Sequence, residues 1–406
     1  MWLTRIVEDV VRNDGARVLA GLIRLAGDFE TAEDALQEAY ARALETWSRD
    51  GIPEKPGAWL NTVARRIVLD RLRRVRRTAE LPDDLTAPEE VVEDEHAIED
   101  DRLRLLFTCC HPALAPEARC GLALRTLGGL STREIARAFV EPEPTTSQRL
   151  VRAKKKIREA GIPYEVPSRE KLPERVATVL SVLYLIFNEG YAATDAPSLL
   201  RPGLTSEAIR LARLSVQLLP GQAEAKGLLA LMLLTDSRRA ARLSNDGELV
   251  PLEEQDRSLW NRAQIEEGVR IVDDVLALRT PGPYQIQAAI AALHAQAGTA
   301  AATDWPQIAA LYESLLRFLP TPVVALNAAV AMGMSTSPER ALERIASIDL
   351  PRYHLLPAAK ADLLRRAGRM GEAAAAYREA LELATNPAER RYLERRLVQT
   401  LGARDP

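Results

Sequence analysis

Two arginine- and lysine-rich segments in the first 160 residues are the part of this sequence with the clearest chemical meaning. The first, WLNTVARRIVLDRLRRVRR, runs from Trp59 to Arg77 and holds seven arginines and one aspartate. The second, TTSQRLVRAKKKIR, runs from Thr145 to Arg158. The whole chain has a net charge of only −3, so these cations are concentrated rather than spread evenly. Such segregation is typical of a protein that contacts a polyanion at two places.

The first segment has an apolar face and an arginine-rich face at helical spacing. Arginines in that pattern can contact phosphates, with an affinity that falls as salt rises because counterions are released. An aromatic ring and an amide at the start of the helix could stack on or hydrogen-bond to unpaired bases. The alternative is a solvated cationic helix with no ligand. The candidate residues are Trp59, Asn61, Arg65, Arg66, Arg71, Arg73 and Arg74.

The second segment follows a pattern that predicts a helix-turn-helix. Ser131 and Glu134 have the spacing of a capping box, Pro142 and Pro144 predict a turn, and Thr145 to Gln148 has the spacing of a second capping box. The start of the second helix would then reach base edges in the major groove, where arginine suits guanine and glutamine suits adenine. The alternative is that the arginine only forms local ion pairs.

The candidate residues of this second segment fall into two groups. Ser147, Gln148 and Arg149 are expected at base edges, and Arg152, Lys154, Lys155 and Lys156 are expected at phosphates.

The elements that position these residues are all predicted to be helices, so the fold class is all-α. Alanine, leucine, arginine and glutamate dominate, and alternating runs of β-branched residues are absent. Residues 80–101 contain eleven acidic residues and neither lysine nor arginine, which predicts a solvated linker. The predicted organisation is therefore 1–79 as one helical domain, 80–101 as the acidic linker, 102–162 as the helix-turn-helix domain, 163–172 as a second linker and 173–406 as a third domain.

The third domain contains a loose internal repeat of small and aromatic residues at helical spacing. Ala208, Ala212 and Pro220 match the pattern of a tetratricopeptide second helix, and two later triplets repeat most of it, namely Ile308, Tyr312 and Pro320, and Ala373, Tyr377 and Ala380. Helix pairs with one apolar face must stack to bury it, so a tetratricopeptide-like α-solenoid is predicted.

Other kinds of site are not indicated by the sequence. Cys109, Cys110, His111 and Cys120 lack the spacing of a zinc site and fit buried cysteines instead, so no metal and no cofactor are expected. No nucleophile–base pair or phosphate-binding glycine loop is present, and we expect no enzymatic activity. The longest apolar run, from Val176 to Phe187, is too short to span a bilayer. We expect a cytoplasmic protein without membrane contact.

Taken in order, these segments resemble the extracytoplasmic-function (ECF) sigma factors of bacterial RNA polymerase. AEDALQEAYARALETW (Ala32 to Trp47) is similar to the family's helix that binds core polymerase, and GAWLNTVARRIVLDRLRR (Gly57 to Arg74) to the helix that recognises and opens the minus-ten element. LSTREIARAF followed by TTSQRLVRAKKKI is similar to the helix-turn-helix for the minus-thirty-five element. FNEGY and LLALMLL in the third domain resemble the subgroup that carries a tetratricopeptide-like extension.

The resemblance implies a sigma factor with region 2 at 1–79, region 4 at 102–162 and a regulatory extension. It implies that Asp34 and Glu38 face a clamp helix in the largest subunit of core RNA polymerase, with the second-largest subunit as a further partner and promoter DNA as the ligand. It also implies an intramolecular contact between the extension and the sigma domains. The alternatives are a helix-turn-helix regulator with a helical-repeat sensor domain that never joins polymerase, and a tetratricopeptide scaffold for an acidic protein.

Overall fold

The computed structural model describes residues 2–78, 95–139, 141–191, 202–244 and 246–402. The chain divides into two compact units, Met1–Ile186 and Phe187–Pro406. The described residues are all-helical apart from turns, loops and an isolated antiparallel bridge between Leu243 and Leu249. The predicted fold class is therefore confirmed. No helix in the described ranges is both long and apolar enough to cross a bilayer.

In the first unit, the described residues form seven α-helices and most of an eighth. They are α1 (Trp2–Ala26), α2 (Phe29–Asp50), α3 (Pro56–Thr78), α4 (Glu95–Cys109), α5 (Pro116–Leu122), α6 (Thr132–Ala138), α7 (Glu143–Glu159) and α8 (Leu172–Tyr191), with a π-helical turn at Ala123–Leu127 after α5. Helices α1, α2 and α3 pack against one another, α4 packs on α1, and α7 packs on α5 and α6.

Helix α3, which carries the first cationic segment, packs against α2. Apolar residues at helical spacing predict a buried stripe on this helix, and the structure buries Leu36, Tyr40 and Trp47 there. Thr31 is a candidate cap by residue type, but the cap is Asp28, whose side chain accepts a hydrogen bond from the Thr31 amide at 2.7 Å. Helix α2 ends at Asp50, and Gly51 follows with φ of 85°, a conformation that glycine adopts without strain.

Helices α6 and α7 form the predicted helix-turn-helix segment. Of the two capping boxes predicted there, the structure confirms one and shows that the other was wrong. Ser131 and Glu134 form the reciprocal capping box, with the Ser131 amide donating to Glu134 at 2.8 Å and the Glu134 amide donating to Ser131 at 3.2 Å. The second box, Thr145 to Gln148, does not cap a helix. Helix α7 begins earlier, at Glu143, because Pro144 fits the first helical turn, where an amide hydrogen has no helical partner.

The predicted linkers also differ from the structure. Residues 79–94 lie outside the described ranges, but α4 already begins at Glu95, so the last part of the 80–101 segment is helical. Asp101 is buried there between two arginines, with Arg24 at 2.9 Å and Arg104 at 2.7 Å. The two ion pairs offset the free-energy cost of burying this carboxylate. The acidic composition of the segment did not predict that one of its carboxylates would be buried.

The expected boundary at 163–172 lies inside the first unit. Arg175 of α8 donates a hydrogen bond to the Phe107 carbonyl, and its guanidinium lies 5.9 Å from the centre of the Phe107 ring. The Tyr164 hydroxyl lies 2.9 Å from the Ala20 carbonyl and 3.0 Å from that of Asp101. These contacts tie the segment after α7 to α1 and α4, so the units separate only within α8.

In the second unit, the residues that the structure describes form ten further α-helices. They are α9 (Pro202–Leu218), α10 (Ala223–Asp236), α11 (Arg262–Ala277), α12 (Pro283–Gln296), α13 (Trp305–Phe318), α14 (Pro322–Ser335), α15 (Pro338–Ile345), α16 (Leu355–Arg366), α17 (Met370–Leu383) and α18 (Pro387–Gly402). Each packs on the next in chain order. The small residues of the predicted repeat lie in this packing, since Ala208, Ala212, Ala373 and Ala380 are completely buried.

Candidate nucleic-acid interface

The tryptophan at the start of α3 is held against α2. The Trp59 ring meets the Trp47 ring edge-on, with centroids 5.4 Å apart and planes at 64°. Trp47 is buried and Trp59 is half-buried, so part of the Trp59 ring serves packing and part remains accessible. Such an edge-on pair contributes about 0.5–1.5 kcal/mol beyond burial of its area. The ring is therefore fixed in place at the edge of the predicted single-strand surface.

The other predicted residues of α3 do not share one environment. Arg66, Arg73 and Arg74 are exposed, and Asn61 and Arg65 are half-buried. Arg73 also lies 3.6 Å from Asp70, one turn earlier on the same helix. Exposed guanidinium groups on one helix provide the charge that a phosphate backbone requires.

Arg71 is the exception on α3, because it faces α2 and joins the two acidic residues expected to contact polymerase. Its guanidinium lies 3.1 Å from Glu38 and 3.5 Å from Asp34. Glu38 also accepts a hydrogen bond from Arg42 at 2.6 Å. Asp34 remains mostly exposed, whereas Glu38 is partly covered by these arginines. Arg71 thus links the helix predicted to contact DNA to the two residues predicted to contact polymerase.

In the helix-turn-helix, Ser147 and Gln148 are exposed near the start of α7, but Arg149 is paired. Its two terminal nitrogens lie 2.6 and 2.5 Å from the two carboxylate oxygens of Glu141. Glu141 also accepts a hydrogen bond from Thr146 at 2.5 Å. A bidentate pair is directional and strong, so Arg149 is held in one orientation in this structure. Glu141 was not among the residues singled out from the sequence.

The predicted phosphate contacts of α7 divide into exposed and paired residues. Arg152, Lys155 and Lys156 are exposed, and Lys155 lies 3.5 Å from Glu159 on the next turn. Lys154 instead forms an ion pair with Glu33 of α2, and both side chains are largely covered. A second pair joins Arg158 to Glu30 at 3.2 Å, with both side chains exposed.

These two ion pairs place the acidic side of α2 against the basic side of α7. The residues involved are 121 and 128 positions apart in sequence. Glu30 and Glu33 were not singled out from the sequence, because nothing in the local pattern indicates a partner so far along the chain. The only available signal is their place on the same helix as Asp34.

The cysteines form no metal site in the described part of the chain. Cys109, Cys110 and Cys120 are buried free thiols, and no group of three or more histidine, cysteine or acidic side chains in these ranges could hold a metal ion. Burial raises the pKa of Cys109 and of Cys120 to about 12. The Cys109 sulfur lies 3.0 Å from the Thr126 hydroxyl. These thiols are packing residues in the environment that the structure gives them.

Comparison with known proteins gives two family matches. Residues 10–78 match Sigma-70 region 2, and residues 175–276 match a family of unknown function, DUF6596. The first match covers α3, most of α1 and all of α2. The second begins in α8 and extends through α11.

Similar proteins include one from Rhizobium meliloti and sigma factors from Mycobacterium tuberculosis. An uncharacterised protein of Rhizobium meliloti is 44% identical over 94% of this chain and 92% of its own length. The ECF RNA polymerase sigma factor SigL of Mycobacterium tuberculosis is 34% identical over 34% of this chain and 77% of its own length. The probable ECF RNA polymerase sigma factor SigI of the same species is 30% identical over 38% of this chain and 54% of its own length.

Proposed function

The chain belongs to the ECF RNA polymerase sigma factors, and from this we propose that it binds core polymerase, directs it to a two-element promoter and helps to open the DNA. The observation that carries the proposal is the pairing of a matched region 2, whose α3 begins with a fixed tryptophan and carries exposed arginines further along, with a capped helix-turn-helix in the same compact unit. A regulator that binds only duplex DNA through a helix-turn-helix does not require a second helix pair, α2 and α3, for polymerase and unpaired bases.

We assign the minus-ten contacts to α3. Trp59 and Asn61 would meet unpaired bases, and Arg65, Arg66, Arg73 and Arg74 would meet the strand's phosphates. The placement supports this, because Trp47 holds the tryptophan edge-on at the start of α3, and the exposed arginines follow along the same helix from Arg66. Stacking on an aromatic ring contributes about 1–3 kcal/mol per base and does not require a duplex.

We assign the minus-thirty-five contacts to α7. Ser147, Gln148 and Arg149 would reach base edges, with Arg152, Lys154, Lys155 and Lys156 at phosphates. For Arg149 and Lys154 this requires a change of partner, because they are paired with Glu141 and Glu33 in the structure. Each bidentate base contact is worth about 1–3 kcal/mol, so two short elements gain most of their selectivity from being tethered to one polymerase.

We assign the polymerase contact to Asp34 and Glu38, with the clamp of the largest subunit as partner and the second-largest subunit as a further one. Asp34 is exposed on α2, and Arg71 holds Glu38 beside it. An acidic patch on a rigid helix suits a basic helix of another protein, because complementary charge accelerates and orients docking.

We also propose that the second unit modulates this activity as a stacked helical repeat that contacts the sigma domains. Its helices pack in chain order and bury the small residues of the repeat, as a solenoid requires. A chain ending at Tyr191 should therefore support a different rate of transcription by core polymerase from the full chain. Circular dichroism of both chains would show that each is helical. Equal transcription would contradict modulation.

The main test is reconstitution of the full chain with bacterial core RNA polymerase, followed by mapping of transcription start sites on fragmented genomic DNA. We expect co-elution with core enzyme and transcription starts that depend on the added chain.

Arg66→Glu should lower transcription about tenfold and reduce the slope of log affinity against log salt for single-stranded DNA by about 0.7. Arg169→Glu is the matched control, because it makes the same charge change at an exposed residue outside both cationic helices. Failure to bind core polymerase would refute the proposal.

A further inference from the structure

The second unit contains an open cavity of about 610 Å³ lined by residues from Pro251 to Tyr392. This volume lies in the range of small-molecule sites, which is about 300–1,000 Å³. Its walls come from α12, α13, α14, α16, α17 and α18 and from the loop segments around 251–257, 300–303 and 353. It lies within one compact unit, so its shape is set by the packing of these helices.

Aromatic side chains line this cavity from four separate segments of the chain. Trp305 begins α13, Tyr353 precedes α16, Tyr377 lies in α17 and Tyr392 lies in α18. Leu326, Val330 and Met334 add an apolar strip from α14. Flat rings and aliphatic groups on several sides of one space favour a flat, apolar ligand, because such a ligand buries both of its faces.

The two acidic residues of the wall, Glu253 and Asp362, are paired with arginines. Arg366 lies 2.8 Å from Asp362 and 2.5 Å from Glu253. Asp362 is also 2.7 Å from Arg365, and Glu253 is 3.1 Å from Arg396. An anionic or cationic ligand would have to break these pairs, and that loss would oppose its binding.

Arg257 is a second cation of the wall, and it contacts neutral groups. Arg257 donates to the carbonyls of His294 and Ala297, each at 2.7 Å, and its guanidinium lies over the Trp260 ring. The His294 ring packs edge-on against Trp305 with centroids 5.2 Å apart, and its Nδ1 is buried without a hydrogen-bond partner among the described residues. Burial, with Arg238 and Arg257 nearby, lowers the pKa of His294 to about 4. The ring is therefore neutral at physiological pH.

From the aromatic walls and the internally paired charges we propose that this cavity is a binding site for an uncharged, planar aromatic small molecule of two or three rings. The matches in this region name no ligand, and the proposal does not depend on the sigma function of the first unit. The second unit would then bind a small-molecule ligand.

The test uses the full chain and the neutral dye N-phenyl-1-naphthylamine, whose emission rises in apolar surroundings. We expect saturable binding of one dye per chain with a Kd on the order of 10 µM, from the affinity that ligands of this size reach per atom. The matched control ligand is 8-anilinonaphthalene-1-sulfonate, which has the same rings and an added sulfonate. It should bind at least tenfold more weakly, because Arg366 is already paired with Asp362 and Glu253 and Arg257 already donates to two carbonyls.

Three variants on α14 locate the site. Asn327→Trp and Val330→Trp put an indole into the cavity and should each weaken dye binding at least tenfold, and Val323→Trp, on the same helix outside the cavity, should change it less than twofold. Asn327 is exposed, so Asn327→Trp tests the site even if Val330→Trp fails to fold. Absence of saturable binding, equal loss in all three variants, or tighter binding of the sulfonated dye would overturn the proposal.

Discussion

The ion pair between Glu33 and Lys154 should restrain α7 in the free protein, and its removal should increase DNA binding. Both side chains are about one-fifth to one-quarter exposed, at 20% and 24%. A hydrogen bond to a charged group contributes about 1.5–3 kcal/mol when buried, and an exposed ion pair contributes about 0.2–1 kcal/mol. At this intermediate exposure we expect about 1–2 kcal/mol. If Lys154 must leave Glu33 to reach a phosphate, Glu33→Gln should strengthen DNA binding by roughly 5- to 30-fold.

The neighbouring pair supplies a matched control. Arg158 and Glu30 are 65% and 76% exposed, so their pairing should contribute less than about 0.5 kcal/mol. Glu30→Gln changes the net charge of the chain by the same amount, one turn away on the same helix. It should therefore change DNA affinity by no more than about twofold.

The assay is fluorescence anisotropy of a labelled duplex with the full chain at a fixed salt concentration, for each variant and for Glu33→Gln combined with Lys154→Gln. The double variant should lose the gain, because the released cation is then missing. Equal gains from Glu33→Gln and Glu30→Gln would mean that only net charge matters, and the restraint by Lys154 would be refuted.

Three further predictions concern stability and reactivity. Ser131→Ala should destabilise the first unit by about 1 kcal/mol, measured by urea denaturation, because the Glu134 amide loses its acceptor; the same cost for Ser48→Ala, an exposed serine within α2 whose hydroxyl donates to the Glu45 carbonyl, would contradict the capping role. The three thiols should resist iodoacetamide at pH 8 in the folded chain and react in urea, because burial raises the pKa of Cys109 and Cys120 to about 12. Acidification from pH 6.5 to 4 should destabilise the second unit by about 3 kcal/mol through His294, whose pKa is about 4 when folded and near 6.5 when unfolded, since only the unfolded chain binds the proton in that window. Thermal melts of His294→Phe should lack this part of the pH dependence; an unchanged pH profile would contradict it.

The local features of this fold could be predicted from the sequence because they depend on residues within one or two helical turns. The buried stripe of α2 and the Ser131 capping box follow from spacing, and the structure confirms them. The start of α7 was missed, because a proline can occupy the first turn of a helix as readily as it forms a turn before one. The two cationic helices were recognised for the same local reason.

The tertiary structure alone decided which charges are paired and where the cavity lies. Glu33 and Lys154 are 121 residues apart, and the cavity joins side chains from Pro251 to Tyr392. Whether a cation faces solvent or a distant carboxylate depends on how helices pack, and helix packing is set by the burial of apolar faces along the whole chain. Composition and spacing determined that these residues are present, and the packing of the helices determined what each of them contacts.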